Sequence, residues 1–574
     1  MNFNFNIKTF RDLLGTNFNQ LVIPRFQRDY SWEKEHISEF LDDLVFGLNA
    51  EETSNKSPYF FGTILVVGDI TGSKGKLEVI DGQQRITTAT ILLSVIGKLL
   101  DMNGENSLAI RVWEYIVKTT DNDEKITILQ NDTLDDFFKD NVQDRKQELS
   151  DILKKGADIP DDETRRIFEA IKYFFQKLKK EQIKKLVKKE DESYIESLKR
   201  IRDALLESQV ICISTVDKGN ANLIFEILNS KGKKLEDIDL IKNEIFRYLN
   251  NIEPKDNANS KWKKIKIQLA EREKIEISTF YRHFWSSRYS INKRLALYEQ
   301  FKAQVSKEKY EDFLNDLQKA AESYKKIISP YLSDYDKKDK YMVDSLNYLG
   351  AFNIKQCRPL LLSLLRAKEK GILTPKNCKK ILTFLPRFHF AYNALCKKNP
   401  NAIETKYTDF SVLVSKSNNS NDLGIIIDDI IRTFKDKLPT KNEFLEKFIK
   451  LSYSSNEEYD SNILSKFAIS EIEKKMSNRV CIPDNYTIEH IVSEKDTRYR
   501  HYSLNIGNLI YLEDNLNQKC GNSTLEVKVE IYKKSNSKST EDFLKTLSDK
   551  KFFEEEEIEE RSKYLANCFY ELFE

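Results

Sequence analysis

The stretch Thr487-Ile488-Glu489-His490-Ile491-Val492 sets a carboxylate beside an imidazole at the end of an apolar run. Asn508 follows in Ile506-Gly507-Asn508-Leu509-Ile510, and Asn517 stands nine residues beyond it. If the pair ends a strand, alternation sends Glu489 and His490 to opposite faces. The chain has only 5 histidines in 574 residues, so one that adjoins an acid and precedes two spaced asparagines is a selective pattern.

Outward from this pair, the residue types fit one chemistry. Phosphodiester hydrolysis needs a base for water, a cation to stabilise charge on the phosphate and leaving oxygen, and groups that orient both. An imidazole takes a proton near neutral pH, which suits His490. Glu489 offers a ligand to a hard divalent cation and Asn517 a second oxygen. Asn508 is expected to bridge the loop and hold the strands through side-chain hydrogen bonds to backbone. An isolated Glu-His pair reads more readily as a half-buried histidine beside a surface acid. The Gly-Asn-Leu block and the spaced Asn517 turn the reading toward a site. His501 reads as a surface-loop histidine.

Length and composition set the frame. A chain of 574 residues exceeds one ordinary core and predicts about three or four domains. Hydrophobic residues at 40% and charged residues at 32%, with only 17 Gly and 11 Pro, predict a soluble, helix-dominated protein. The 93 Lys plus Arg against 91 Asp plus Glu leave a net charge of +2, so nucleic-acid binding would need local basic patches. The 7 cysteines form no C-x-x-C pair, which disfavours a zinc knuckle and reads as reduced intracellular thiols. Met1 to Phe10 shows no signal-peptide pattern, and the apolar run Ala89 to Ile96 is too short to span a bilayer. A cytoplasmic protein with no membrane partner is expected.

The first 100 residues carry an α/β pattern. Phe60 to Val67 and Leu77 to Ile80 read as strands, joined by a turn at Gly72 and Gly75, with a helix from about Ile86 to Leu100. Gln176 to Glu190 reads as one amphipathic helix with a solvated lysine face, and Val210 to Thr215 as a buried strand. Ile224 to Asn229 reads as a helix end, with Gly232 turning the chain and Asp237 or Asp239 near the next helix start. From 250 to about 450 the period is helical, with turns marked by Pro330, Pro359, Pro375, Pro386 and Pro400.

Between the second strand and its helix lies Asp81-Gly82-Gln83-Gln84-Arg85. A helix start attracts anions, Gly82 permits close backbone approach, Asp81 suits magnesium and Arg85 suits a phosphate oxygen. Alone, this reads more readily as an ordinary turn capped by Asp81. Upstream, Val22 to Trp32 packs Arg25, Gln27, Arg28, Tyr30 and Trp32 into one short segment.

Together these blocks resemble the GmrSD-type restriction endonuclease family. Glu489-His490-Ile491, the Asn505 to Leu509 block and Asn517 look like its C-terminal HNH ββα-metal domain. Val22 to Trp32, Phe61-Gly62, Asp81 to Arg85, Asn229 to Gly232 and Leu240 to Asn243 look like its ParB/sulfiredoxin-like N-terminal domain. The resemblance implies a mixed α/β and mostly α chain: a nucleotide-binding, DNA-sensing domain over 1–250, a helical linking domain over 251–454 and a nuclease domain over 455–574. It implies His490 as general base with Asn508 as the structural asparagine of the catalytic set, and Glu489 and Asn517 as ligands to Mg2+ or Mn2+. Asp81, Gly82, Gln83, Gln84 and Arg85 would line a nucleoside triphosphate site, with Gln27 and Arg28 nearby and Tyr30 and Trp32 in the core. Lys519 or Lys528 would contact phosphate.

The implied activity is metal-dependent DNA cleavage in antiviral defence, gated by nucleotide. DNA is the implied partner, with modified phage DNA among the candidates, and homo-oligomerisation stays open. One departure stands out: the family commonly continues E-H-I-x-P-Q, whereas this chain has Ser493-Glu494. Loss of the proline is expected to loosen the turn, and the added acid to repel phosphate or supply another ligand. The alternative is a nucleotide-dependent DNA-binding switch whose nuclease site has decayed; a toxin that cuts RNA is less favoured.

Overall fold

A computed structural model of the chain describes residues 4–15, 19–50, 59–70, 75–119, 122–131, 136–155, 159, 162–188, 191–217, 221, 236–249, 256–273, 275–455, 460–496, 502–550 and 553–574. The chain divides into two compact units, Met1–Ala270 with Leu295–Gln318, and Glu271–Arg294 with Lys319–Glu574.

The first unit is built on strands β1 (Asn4–Thr9), β2 (Asn19–Ile23), β3 (Phe60–Val67), β4 (Gly75–Asp81), β5 (Val117–Thr119), β6 (Lys125–Thr127), β7 (Leu129–Asn131) and β8 (Gln209–Thr215). Six form one mixed sheet in the order β1-β8-β3-β4-β2-β7, while β5 and β6 pair separately. Central β3 runs parallel to β8 and antiparallel to β4. Its Ile64, Leu65 and Val66 are fully buried, and a strand covered on both faces reads as a continuous apolar run.

The helix Gln83–Met102 follows β4 directly, and every residue from Ile86 to Leu100 is buried. A helix apolar all round belongs inside a core. Its polar residues are satisfied locally: Thr88 and Thr90 hydroxyls donate to the carbonyls of Gln84 and Ile86 at 2.8 and 2.9 Å. Lys98 Nζ donates to the carbonyls of Asp144 and Gln147, each at 2.6 Å, and burial lowers its pKa to about 8.

The lysine-rich segment departs from the expected single helix. It breaks into Asp162–Lys177 and Lys180–Val187, because Leu178, Ile183 and Val187 all turn inward. Asp237 and Asp239 lie in the first turn of the helix Asp237–Tyr248, where carboxylates oppose the helix dipole favourably. The expected elements at Ile224 to Asn229 and Gly232, and the Gly72 turn, lie outside the described residues.

Among the described residues, the second unit is helical apart from one strand pair. Pro359 and Pro375 sit in the first turns of the helices Arg358–Glu369 and Pro375–His389, where no N–H is needed. Pro386, expected at a turn, lies instead inside its helix, which passes into a π-helical segment at Phe390–Leu395. Strands β9 (Tyr486–His490) and β10 (Leu509–Glu513) pair antiparallel, with Leu509 opposite His490 and Ile510 opposite Glu489. The helix Asp514–Cys520 follows β10 at once.

Residues 449–453 are woven into this element. Tyr453 N–H donates to Leu504 O, Ile506 N–H to Leu451 O (both 2.9 Å), and Asn505 Nδ2 to Ile449 O at 2.8 Å. Gly507 lies against the helix Glu555–Tyr570, where any Cβ would meet the Ile558 carbonyl oxygen at 2.0 Å. Arg561 from that helix donates to the carbonyls of Gly507 and Leu509 at 2.5 and 2.8 Å. All seven cysteines are free. Among the described residues, no helix is long and apolar enough to cross a membrane.

Candidate active site at the end of the C-terminal strand pair

Alternation along β9 places Thr487 and Glu489 on one face and His490 on the other. On the Glu489 face stands Lys528, 1% exposed, with Nζ 2.7 Å from Glu489 Oε1 and donating to the His490 carbonyl at 2.6 Å. Tyr532, one turn on in the helix Leu525–Tyr532, donates its hydroxyl to Glu489 Oε1 at 3.2 Å. Burial pushes the Glu489 carboxyl above its usual value, against the opposing pull of the Lys528 ammonium. The sequence expectation that Lys528 contacts phosphate is therefore corrected: this ammonium is buried on a carboxylate. Lys519 is exposed in the last turn of the helix Asp514–Cys520.

Asn517 joins the same face. Its Nδ2 donates to Thr487 Oγ1 at 2.8 Å and to the Ile488 carbonyl at 3.0 Å, which leaves Oδ1 as its oxygen donor. On this face the Glu489 carboxylate is occupied by the Lys528 ammonium. Among the described residues, no group of three or more His, Cys, Asp and Glu side chains gathers to hold a metal ion.

His490 faces elsewhere. Its Nε2 lies 3.0 Å from the Tyr453 carbonyl, and its ring lies 5.8 Å from the Tyr453 ring. A carbonyl only accepts, so this contact assigns the proton to Nε2 and leaves a lone pair on Nδ1. Burial lowers the His490 pKa below 6.5, opposed by the Tyr453 carbonyl and the Glu494 charge. Sequence reading missed Tyr453. Its role comes from a backbone carbonyl, which no residue pattern announces.

The Ser493-Glu494 turn is held rather than loosened. Ser493 Oγ donates to Asn522 Oδ1 at 2.9 Å, and Glu494 accepts from the Ser454 hydroxyl and from Ser455 N–H and Oγ at 3.2 and 2.6 Å. Hydrogen bonds thus supply the restraint a proline would give. Asn508, fully buried, ties the following loop to β10: its Oδ1 accepts from Val492 N–H at 2.8 Å, and its Nδ2 donates to Val492 O and Ser503 O at 2.8 and 2.6 Å. His501 lies outside the described residues.

In the first unit, Gly82 takes φ 89° between Asp81 and the helix Gln83–Met102. Its glutamine neighbours dock the segment Pro24 to Ser31. Gln83 Nε2 donates to Arg28 O at 3.0 Å, while Gln84 donates to Asp29 O at 3.0 Å and accepts from Ser31 N–H at 2.8 Å. Gln27 Nε2 donates to Ile80 O at 3.1 Å. Arg85 Nη1 donates to Thr63 O at 2.9 Å, and its guanidinium lies 3.5 Å from where a Gly62 Cβ would stand. Tyr30 is buried, its hydroxyl 2.8 Å from Thr88 Oγ1.

Asp81 to Arg85, Gln27 and Arg28 therefore do converge, and the amides of Gln27 and Gln84 brace backbone. Among the described residues, the Oε1 of buried Gln83 has no hydrogen-bond partner. Sequence reading passed over Asp29, whose carboxylate pairs with Lys242 at 3.2 Å and with Lys266. Burial drives the Lys266 pKa to about 8, and the charges of Glu163 and Asp239 join Asp29 in facing Lys242.

The mixed-sheet unit with this docked turn and the unit carrying the acid–histidine strand pair each contain a stretch that a family model matches. The family model for the GmrSD restriction endonuclease N-terminal domain matches residues 10–246. That for the GmrSD restriction endonuclease C-terminal domain matches residues 438–568. The chain belongs to the GmrSD restriction endonuclease family, whose members act in phage defence. No curated protein matches it.

Proposed function

We propose that the C-terminal strand pair and its helix form an HNH-type ββα site that cleaves DNA with His490 as general base. One observation carries this reading: the Tyr453 carbonyl holds His490 with Nδ1 unprotonated, and burial keeps the ring neutral near pH 7. Such an imidazole accepts a proton from water as it attacks phosphorus. Asn508 fixes the backbone after the base, and Tyr453 sets the ring's orientation. Glu489 and Asn517 would hold Mg2+ or Mn2+ once the Lys528 ammonium moves off the carboxylate. When bound, the cation would neutralise charge on the phosphate and leaving oxygen. Lys528 Nζ contacts both Glu489 and the His490 carbonyl, which supports a cation at this point.

In the N-terminal unit, the helix start at Gly82, the Gln83 Oε1 that has no partner among the described residues, Arg28, Arg85, Lys242 and Lys266 support nucleoside triphosphate binding and hydrolysis, in which Asp81 would orient water or magnesium. Nucleotide state would then license cleavage of DNA, modified phage DNA included.

A second reading has its own observation. With Lys528 already neutralising Glu489, the site can act as a decayed nuclease in a nucleotide-dependent DNA-binding switch. Incubating supercoiled plasmid and phage DNA with the protein, Mg2+ or Mn2+ and nucleotide separates the two. Nicking lost in His490→Ala supports the nuclease; DNA binding with no metal-dependent nicking of any substrate supports the switch.

A further inference from the structure

We propose that a lysine face in the first unit, formed where the helix Asp162–Lys177 gives way to Lys180–Val187, docks the phosphate backbone of duplex DNA. It rests on the reading of DNA as this protein's substrate. The segment Gln176 to Lys188 holds six lysines and one acid, Glu181. Its apolar residues Leu178, Ile183 and Val187 are buried. A helix that buries one side turns its polar residues to the other, and Lys177, Lys179, Lys180, Lys185 and Lys188 are all exposed.

A merely solvated face is built differently in this chain. Lys172 pairs with Glu169 at 3.4 Å, Lys199 with Glu196 at 2.8 Å, and Lys533 with Glu530 at 2.6 Å. Lys538 and Lys545 share Glu541 at 2.6 and 2.9 Å. Such neighbours on one helix face balance surface charge, in keeping with a net charge of only +2. Past Lys172 the pairing stops: among the described residues, none of the five exposed lysines forms an ion pair. Lys177 and Lys179 lie instead over the rings of Tyr173 and Phe175, at 5.6 and 5.1 Å.

Helix dipoles explain part of this pattern. Lys177, Lys185 and Lys188 stand at helix C-terminal ends, where a cation is favoured. Lys179 and Lys180 open the second helix as its N-cap and first residue, where the dipole disfavours a cation. Local stability does not account for that pair of positive charges. A polyanion does. The eight residues of Lys180–Val187 span about 12 Å, over which each DNA strand presents about three phosphates. Lysines are flexible point charges that hold a backbone without reading its sequence. In a chain so close to neutral, attraction to DNA depends on such a local concentration of charge.

Fluorescence anisotropy of a short labelled duplex with the full chain tests this, in EDTA to prevent cleavage and across a series of chloride concentrations. Phosphatidylserine vesicles serve as a second polyanion. Lys180→Gln, Lys185→Gln and Lys188→Gln together should weaken DNA binding about tenfold or more at low salt. They should also reduce the slope of log affinity against log salt by about 2 to 3, while arginine at the same positions keeps both. A control with Lys307→Gln, Lys309→Gln and Lys376→Gln, exposed lysines elsewhere, should stay within about twofold of the unsubstituted protein. The proposal is overturned if the first variant keeps its affinity and slope, if the control loses as much, or if only vesicle binding falls. Absence of DNA binding by the unsubstituted protein would overturn the substrate reading along with it, an outcome distinct from these three.

Discussion

Lys528 Nζ rests 2.7 Å from Glu489 Oε1 with both side chains closed off from solvent, so a lysine holds the carboxylate that the family resemblance assigns to a metal. Removing one partner of a buried pair leaves an uncompensated charge, at a cost of about 3–5 kcal/mol. Lys528→Met should lower the unfolding midpoint in EDTA and regain much of the loss with Mn2+. Wild type should respond far less, since the ammonium already fills the position. Thermal melts with and without Mn2+ measure this. Equal metal shifts in the two proteins would remove Glu489 from the cation site.

The proposed base has its own signature in pH. His490 is held below its ordinary 6.5 by burial, and only the neutral ring accepts a proton. Cleavage should therefore be flat above about pH 6.5 and fall at lower pH as Nδ1 becomes protonated. His490→Ala should reduce the rate by about 10²–10⁴. A limb centred above pH 7 would point to a different group.

Much of this site was readable in the residues, for reasons that differ residue by residue. Glu489, His490, Asn508 and Asn517 stand out in the sequence because the proposed chemistry would use those side chains at that spacing. Tyr453 and Lys528 do not. The first acts through its carbonyl, and the second sits 39 residues from its partner on a helix whose register only packing determines. Likewise β3 and β8 were visible as apolar runs, yet their parallel pairing was not, since nothing local encodes which strands meet. The Gln176 to Glu190 helix was misread as continuous because lysine periodicity masks the break where Leu178 turns into the core.

Asn508 makes three hydrogen bonds to backbone from a fully buried position. In Asn508→Ala, the Val492 N–H and the Val492 and Ser503 carbonyls lose their side-chain partner. Each buried group left unsatisfied costs about 1–3 kcal/mol. Asn508→Asp should be about as damaging, because a carboxylate cannot donate to the two carbonyls. Urea unfolding should show at least about 2 kcal/mol lost in both variants. A near-neutral Asn508→Asp would mean that the two Nδ2 bonds contribute little.

Stability should fall in mild acid through two histidines remote from catalysis. His389 is fully buried, with Nδ1 2.5 Å from Asn393 Oδ1 and Nε2 2.7 Å from the Tyr407 hydroxyl; His283 lies 2.6 Å from the Tyr324 hydroxyl. Burial lowers both to about 4. The unfolded chain, titrating near 6.5, takes up these protons first, so their neutral form stabilises the fold fully above pH 6.5. That contribution drains away between pH 6.5 and 4, by about 3 kcal/mol for fully buried His389 and less for partly buried His283. Replacing His389 with Gln should flatten the fall in unfolding free energy over this window. An unchanged slope would assign the loss to other groups.

Gly82 separates backbone strain from packing at the N-terminal turn. Its φ of 89° is a left-handed conformation, and an added Cβ would meet Cγ1 of fully buried Ile64 at 2.8 Å in the middle of β3. Gly104, at φ 83°, has nothing within 4 Å of the same atom. Gly104→Ala should therefore cost only the conformational penalty, about 1–2 kcal/mol. Gly82→Ala carries that penalty plus about 1–3 kcal/mol for displacing Ile64. It should also disturb the glutamine braces to Arg28 and Asp29 and so lower nucleotide hydrolysis, which Gly104→Ala leaves intact. Equal losses of stability in the two variants would show that Ile64 yields freely, and that the approach of β3 to this turn does not set its geometry.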